Sequence, residues 1–120
     1  MQVDILYRPS YSMAKVSLSA SEVLNAESGA MVAMSPGISI ETKMRGGLLK
    51  SLARSMLGGE SLFMNTFQAG AQGGEIILAP SLPGDVFAQT LAGEALLVQS
   101  GSYMASSDGI QVDTKWGGAK

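Results

Sequence analysis

Glu41 and Asp113 are the two carboxylates whose placement invites a catalytic reading, because each is followed by the same Thr-Lys pair. A paired-carboxylate hydrolase needs two such groups facing one cleft, held in different protonation states. Here each acid falls on the polar beat of an alternating stretch, on the same side as a lysine two places on. That is the pattern of a solvated strand face with a cross-strand ion pair. The remaining catalytic repertoire is thin. The 120 residues contain no His and no Cys, which removes the commonest general base, thiolate nucleophiles and zinc-thiolate ligands. No catalytic, metal-binding or cofactor-binding residue is expected.

Two further constellations carry chemistry of a weaker kind. Met44-Arg45-Gly46-Gly47-Leu48-Leu49-Lys50-Ser51 places glycines, a lysine and a serine ahead of a helical pattern. It lacks Walker-loop spacing and no parallel βαβ pattern surrounds it, so a phosphate site is disfavoured. The cations Lys43, Arg45, Lys50 and Arg54 cluster around the same stretch, with Lys115 and Trp116 at related positions near the chain's end. These six residues form the candidate interaction surface. Four clustered cations are few for lipid anchoring, so peripheral membrane association is disfavoured and docking onto protein is preferred. The aromatics are not interleaved with Lys or Arg as a nucleotide-stacking platform requires, and Phe63 and Phe67 read as core.

Composition narrows the class. Apolar residues make up 46% of the chain and charged residues 15%, against roughly 25% charged in ordinary soluble domains. A small domain has much surface per residue, so low charge points to a surface partly covered by another subunit. A net charge of −2 works against binding a phosphate backbone. Absence of cysteine fits a reducing compartment. Met1–Ile5 begins no charged segment followed by a long apolar one, and no stretch approaches membrane-spanning length. The expectation is a soluble cytoplasmic protein.

The elements that must position these residues show self-similarity. Shifting the chain by 72 places lays Ala20–Met44 over Ala92–Trp116 without a gap, and 11 of the 25 positions are identical. The identities include Leu24 with Leu96, Gly29 with Gly101, Gly37 with Gly109 and Lys43 with Lys115. This indicates one strand-turn-strand unit present twice, the chain being the first half, plus the start of the second repeat, of a two-repeat protein. Ala14, Val16 and Leu18 alternate with polar residues, as do Ile38, Ile40, Thr42 and Met44, and as do Ile110, Val112, Thr114 and Trp116. Period-two alternation predicts strands. Ser28-Gly29, Ser35-Pro36-Gly37, Ser100-Gly101 and Ser107-Asp108-Gly109 predict tight turns with glycine at positive φ. Leu48, Leu49, Leu52, Ala53, Met56 and Leu57 recur at helical spacing between two Gly-Gly pairs, predicting a short amphipathic helix or loop near 48–57. Ser61–Gln68 then resumes as a strand.

Several of these blocks resemble a known family. They are Glu27-Ser28-Gly29-Ala30-Met31-Val32-Ala33-Met34, Gly58-Gly59-Glu60-Ser61-Leu62-Phe63-Met64-Asn65, Leu78-Ala79-Pro80 with Pro83-Gly84-Asp85, and Val112-Asp113-Thr114-Lys115-Trp116-Gly117-Gly118. They resemble the microbial family of uncharacterised proteins that includes altered inheritance of mitochondria protein 24. The resemblance implies an all-β fold similar to the tryptophan RNA-binding attenuation protein, two related halves, and assembly into a ring-like oligomer, a trimer being favoured. It supplies no catalytic residue, and RNA binding by the fold's namesake does not transfer with the fold.

The expected molecule is therefore an antiparallel β-sandwich or barrel forming a single domain over residues 1–120. It is expected to be non-catalytic and to self-assemble through β-sheet surfaces as a structural or interaction module. The alternative is a ligand- or RNA-binding ring with basic inter-subunit grooves, although nucleic acid is the less favoured partner.

Overall fold

The computed structural model describes residues 1–44, 63–99 and 101–113. These form eight strands: β1 Gln2–Leu6, β2 Met13–Leu18, β3 Val23–Glu27, β4 Met31–Met34, β5 Ser39–Met44, β6 Phe63–Gln68, β7 Gly74–Leu78 and β8 Ala105–Ser107. They build two four-stranded antiparallel sheets, ordered β1-β2-β7-β4 and β5-β6-β3-β8. No helix occurs among the described residues. The chain is all-β, and its two sheets fit a sandwich. The segment 48–57, predicted as helix or loop, lies outside the described residues.

Alternation in β2 fixes the first sheet. Ala14, Val16 and Leu18 are buried while Met13, Lys15 and Ser17 are half-buried. β1 pairs along its whole length with β2, from Gln2 opposite Ser17 to Leu6 opposite Met13. β7 takes the other side of β2, with Val16 opposite Ile76. β4 pairs with β7 through a bulge between Met31 and Ala33, so that Met31 faces Leu78 and Met34 faces Ile76. The extra residue lets both methionines pack against the core although they are three places apart.

In the second sheet β6 is central. It pairs with β5 over six positions and with β3 over five. Phe67, fully buried, lies opposite Leu24 on one side and Ile40 on the other. The core cluster joins Ala14, Val16, Leu18, Ile76 and Leu78 of the first sheet to Leu24, Ala26 and Phe67 of the second. Burial at this density is the main source of stability in a domain of this size.

Glycine governs two approaches. Gly29 and Gly101 hold φ at +94° and +89°, and each closes a turn with the same hydrogen bond one unit apart. Ala30 N donates to Glu27 O at 3.1 Å, and Ser102 N donates to Gln99 O at 2.9 Å. At Gly73, φ is +72° and a Cβ would stand 2.5 Å from the Leu18 carbonyl oxygen.

The two aligned stretches differ elsewhere. Ile110–Asp113, predicted as part of a strand, belongs to none, and residues 114–116 lie outside the described ones. β5 is a strand because β6 bonds it along six positions. Ile110–Asp113 has the alternation but joins no strand ladder among the described residues, and alternation alone does not make a strand. Gly109 likewise does not take the left-handed conformation of its counterpart Gly37.

Truncating Phe67 to Ala should lower unfolding free energy by about 3–5 kcal/mol in urea denaturation, through a cavity between the sheets. Gly73→Ala should also destabilise, by more than about 1 kcal/mol, because both its backbone angle and its contact with Leu18 oppose a side chain.

Candidate interaction surface

The sheets end in four edges: β1 and β4 in one, β5 and β8 in the other. They are not equally guarded. β1 carries Asp4, and β5 carries Glu41 and Lys43. β4, Met31-Val32-Ala33-Met34, carries no charge, and Val32 on it is 57% exposed. Charge on an edge discourages pairing with another chain, so an uncharged edge is open to it.

Between β7 and β8 the chain runs from Ala79 to Met104 without forming a strand among its described residues. Its start is tied to the β1–β2 loop. Arg8 grips Asp85 with both arms of its guanidinium, Nε to Oδ1 at 3.1 Å and Nη2 to Oδ2 at 3.0 Å. Ser12 Oγ donates to Asp85 Oδ1 at 2.7 Å, the Val86 amide donates to the same oxygen at 2.9 Å, and Ser12 N donates to Gly84 O at 3.0 Å. This clamp delivers Val86 to the core. Beyond it Phe87, Leu96, Leu97 and Val98 are 69%, 50%, 83% and 50% exposed. Such a row of large apolar side chains is unusual for an unpartnered surface.

The segment is tied again at its end. The Tyr103 hydroxyl donates to Asn25 O at 3.3 Å and shares a 2.8 Å hydrogen bond with Ser106 Oγ. Asn25 is itself buried, with Oδ1 accepting from Thr66 Oγ1 at 2.8 Å, while its Nδ2 has no hydrogen-bond partner among the described residues.

Two small concavities lie among the described residues. One of about 100 Å³ is lined by Glu27, Ser28, Gly29, Ala30, Ala79 and Ser81. Another of about 200 Å³ lies beside the clamp, between Tyr11, Ser12, Met13 and the Ala79–Pro83 stretch. Both fall below the roughly 300–1,000 Å³ of typical small-molecule sites. Among the described residues no three acidic groups gather as metal ligands.

Of the residues proposed from sequence, Lys43 lies on β5, opposite Met64 in the register. Arg45, Lys50, Arg54, Lys115 and Trp116 lie outside the described residues. Glu41 stands opposite Thr66 on β5, whereas Asp113 lies past β8 in no strand. Sequence reasoning missed the Arg8–Ser12–Asp85 clamp. Its partners are 77 and 73 residues apart, and the only local signal was the turn-forming Pro83-Gly84-Asp85.

The guanidinium of Arg8 first, and the Ser12 hydroxyl second, hold the Asp85 carboxyl down from 3.8 to about 2. Hydrogen bonds to the ionised form favour that form. A carboxyl depressed in the folded state adds stability above its unfolded value, and that stability is lost as pH falls through the folded one. Stability should therefore fall between about pH 4 and pH 2 partly through Asp85. Asp85→Asn should flatten that slope in acid denaturation while raising hydrogen exchange at the Val86 amide at neutral pH.

Known proteins are similar to this chain in sequence and in fold. The family model described as Mitochondrial biogenesis AIM24 matches residues 3–120. An uncharacterized protein of Streptococcus pyogenes serotype M6 is 30% identical over 92 residues, which is 71% of this chain and 36% of the relative. The X-ray crystal structure of a Streptococcus pyogenes protein superposes with a TM-score of 0.70 at 23% identity, covering 89% of this chain and 50% of that one. The chain thus spans half or less of the length of these relatives, and the second likeness is one of fold. The match along nearly the whole sequence places the chain in the Mitochondrial biogenesis AIM24 family.

Proposed function

We propose that this protein is a non-catalytic structural and interaction module that self-assembles through its β-sheet surfaces. The observation that carries the proposal is the exposure of Phe87, Leu96, Leu97 and Val98 in the segment between β7 and β8, together with the uncharged edge strand β4. Covering such surface releases water from about 25 cal/mol worth of apolar contact per Å² buried, which favours association. Charge is scarce, at 15% of residues, so little opposes that association. Small concavities and the absence of His and Cys from the sequence favour a scaffold over an enzyme.

In this proposal the chain contains two related units, and closed assembly is a ring, with a trimer favoured by the family resemblance. The setting is the cytoplasm. Absence of cysteine fits a reducing compartment, and among the described residues no helix is long and apolar enough to cross a membrane.

Size-exclusion chromatography with light scattering tests the proposal directly. At micromolar concentration the mass should be a multiple of the 12.4 kDa chain, and should decrease on dilution. A monomer at every concentration would remove it.

A further inference from the structure

Four aspartates occur in the chain, and the residue that follows each sets what its carboxyl can do to the backbone. Asp4 precedes Ile5, Asp85 precedes Val86 and Asp113 precedes Thr114, whereas Asp108 precedes Gly109. A β-branched side chain crowds the amide nitrogen of its own residue. Glycine leaves that nitrogen free to approach the carboxyl carbon of the residue before it.

The Asp108 carboxyl and the Gly109 amide are also unheld. Ser107–Ile110 is a tight turn closed by the Ile110 amide, which donates to Ser107 O at 3.1 Å. Asp108 and Gly109 stand exposed at its tip, and a Cβ on Gly109 would meet open space. Among the described residues no side-chain bond holds the Asp108 carboxyl, and no backbone acceptor takes the Gly109 amide. The comparable groups elsewhere are restrained. Asp85 is bound by Arg8 and Ser12. Asn25 and Asn65, whose amides could follow the same chemistry, lie in β3 and β6, each bonded to a strand on both sides. Their side-chain oxygens accept from Thr66 and Thr42. Pro36, which aligns with Asp108 at the 72-residue shift, has no carboxyl.

We propose that Asp108-Gly109 is a site of spontaneous covalent modification, at which the aspartate rearranges to β-linked isoaspartate. The Gly109 nitrogen attacks Cγ of the protonated Asp108 carboxyl. Its amide proton leaves with the carboxyl hydroxyl as water, and a cyclic imide closes. Water then adds back to either imide carbonyl. Opening at Cγ restores aspartate. Opening at the former main-chain carbonyl of Asp108 frees that group as a carboxylate and leaves Gly109 joined to Cγ. One water is lost and one regained, so the mass is unchanged and water is the only co-reactant. The chain then runs through Cβ, which lengthens the turn by one carbon atom directly after β8. A longer turn opposes the bond from Ile110 to Ser107 and loosens the end of β8, where Ser107 pairs with Leu24.

Ageing the purified chain at neutral pH over days tests the proposal. An isoaspartate-specific carboxyl methyltransferase with a labelled methyl donor should label the peptide containing Asp108, increasingly with time. Asp108→Glu should lose the label, because its larger imide ring closes far more slowly. Gly109→Val should lose it with the carboxyl still in place. The turn accommodates the second change, since φ of Gly109 is not left-handed and nothing stands where the Cβ would go. Fragmentation of the labelled peptide should place the additional backbone carbon at residue 108, and hydrogen exchange at the Ile110 amide should rise in the aged protein. Label distributed over the other Asp and Asn peptides would overturn the proposal. An aged chain without label would overturn it too, and label in a synthetic Ser106–Gln111 peptide alone would identify the folded turn as protecting the bond.

Discussion

β3 is the strand on which the architecture turns, because it is bonded on both sides and buried on both faces. Leu24 and Ala26 point to the core, while Asn25 points the other way and is still buried. A buried amide is costly unless paired, so only registers that give Asn25 a partner are favourable. Thr66 supplies it at 2.8 Å. A slip of β6 by one residue would replace Thr66 with Asn65 or Phe67 and turn every side chain of β6 to the wrong face. One polar contact thereby aligns Phe67 with Leu24, and that alignment seats the largest side chain of the core. The Tyr103 hydroxyl, bonded to the Asn25 carbonyl and to Ser106, extends the same constraint to β8.

The Arg8–Asp85 clamp has a different task. It contributes little to global stability, since both side chains are largely exposed and solvent screens such pairs. Its effect is positional. Two guanidinium bonds, a hydroxyl bond and one backbone bond fix Gly84–Asp85 against the β1–β2 loop, and the Val86 amide bonds the same carboxylate. A segment that emerges from a fixed base has less conformational freedom to lose when it is covered. Val86 is thereby held against the core, one residue before the exposed Phe87.

The parts of the fold legible in sequence are those set by local rules. Alternation revealed β2 and β5, and Ser-Gly pairs located the turns at Gly29 and Gly101. Of the two phenylalanines read as core, Phe67 is fully buried, whereas Phe63, at the start of β6, is 42% exposed. Ile110–Asp113 misled because alternation reports which face a residue would take, not whether a neighbouring strand exists to receive its backbone bonds. β8 was displaced from the expected strand for the same reason: Ala105–Ser107 has β3 beside it. The clamp was illegible because its partners meet only once β7, far along the chain, has paired with β2. The basic residues proposed as a surface lie mostly outside the described residues, so the geometry that carries the functional proposal is the apolar segment instead.

The four sheet edges differ in how they meet water. Asp4 lies on β1 and Glu41 with Lys43 on β5, whereas neither β4 nor β8 carries a charge. Charge on an edge strand discourages pairing with another backbone, so the first two edges are guarded and the other two are not. In each sheet, then, one edge strand is charged and the other is not, and the low charge content of the chain, 15% of residues, is spread unevenly over the backbone left at the sheet edges.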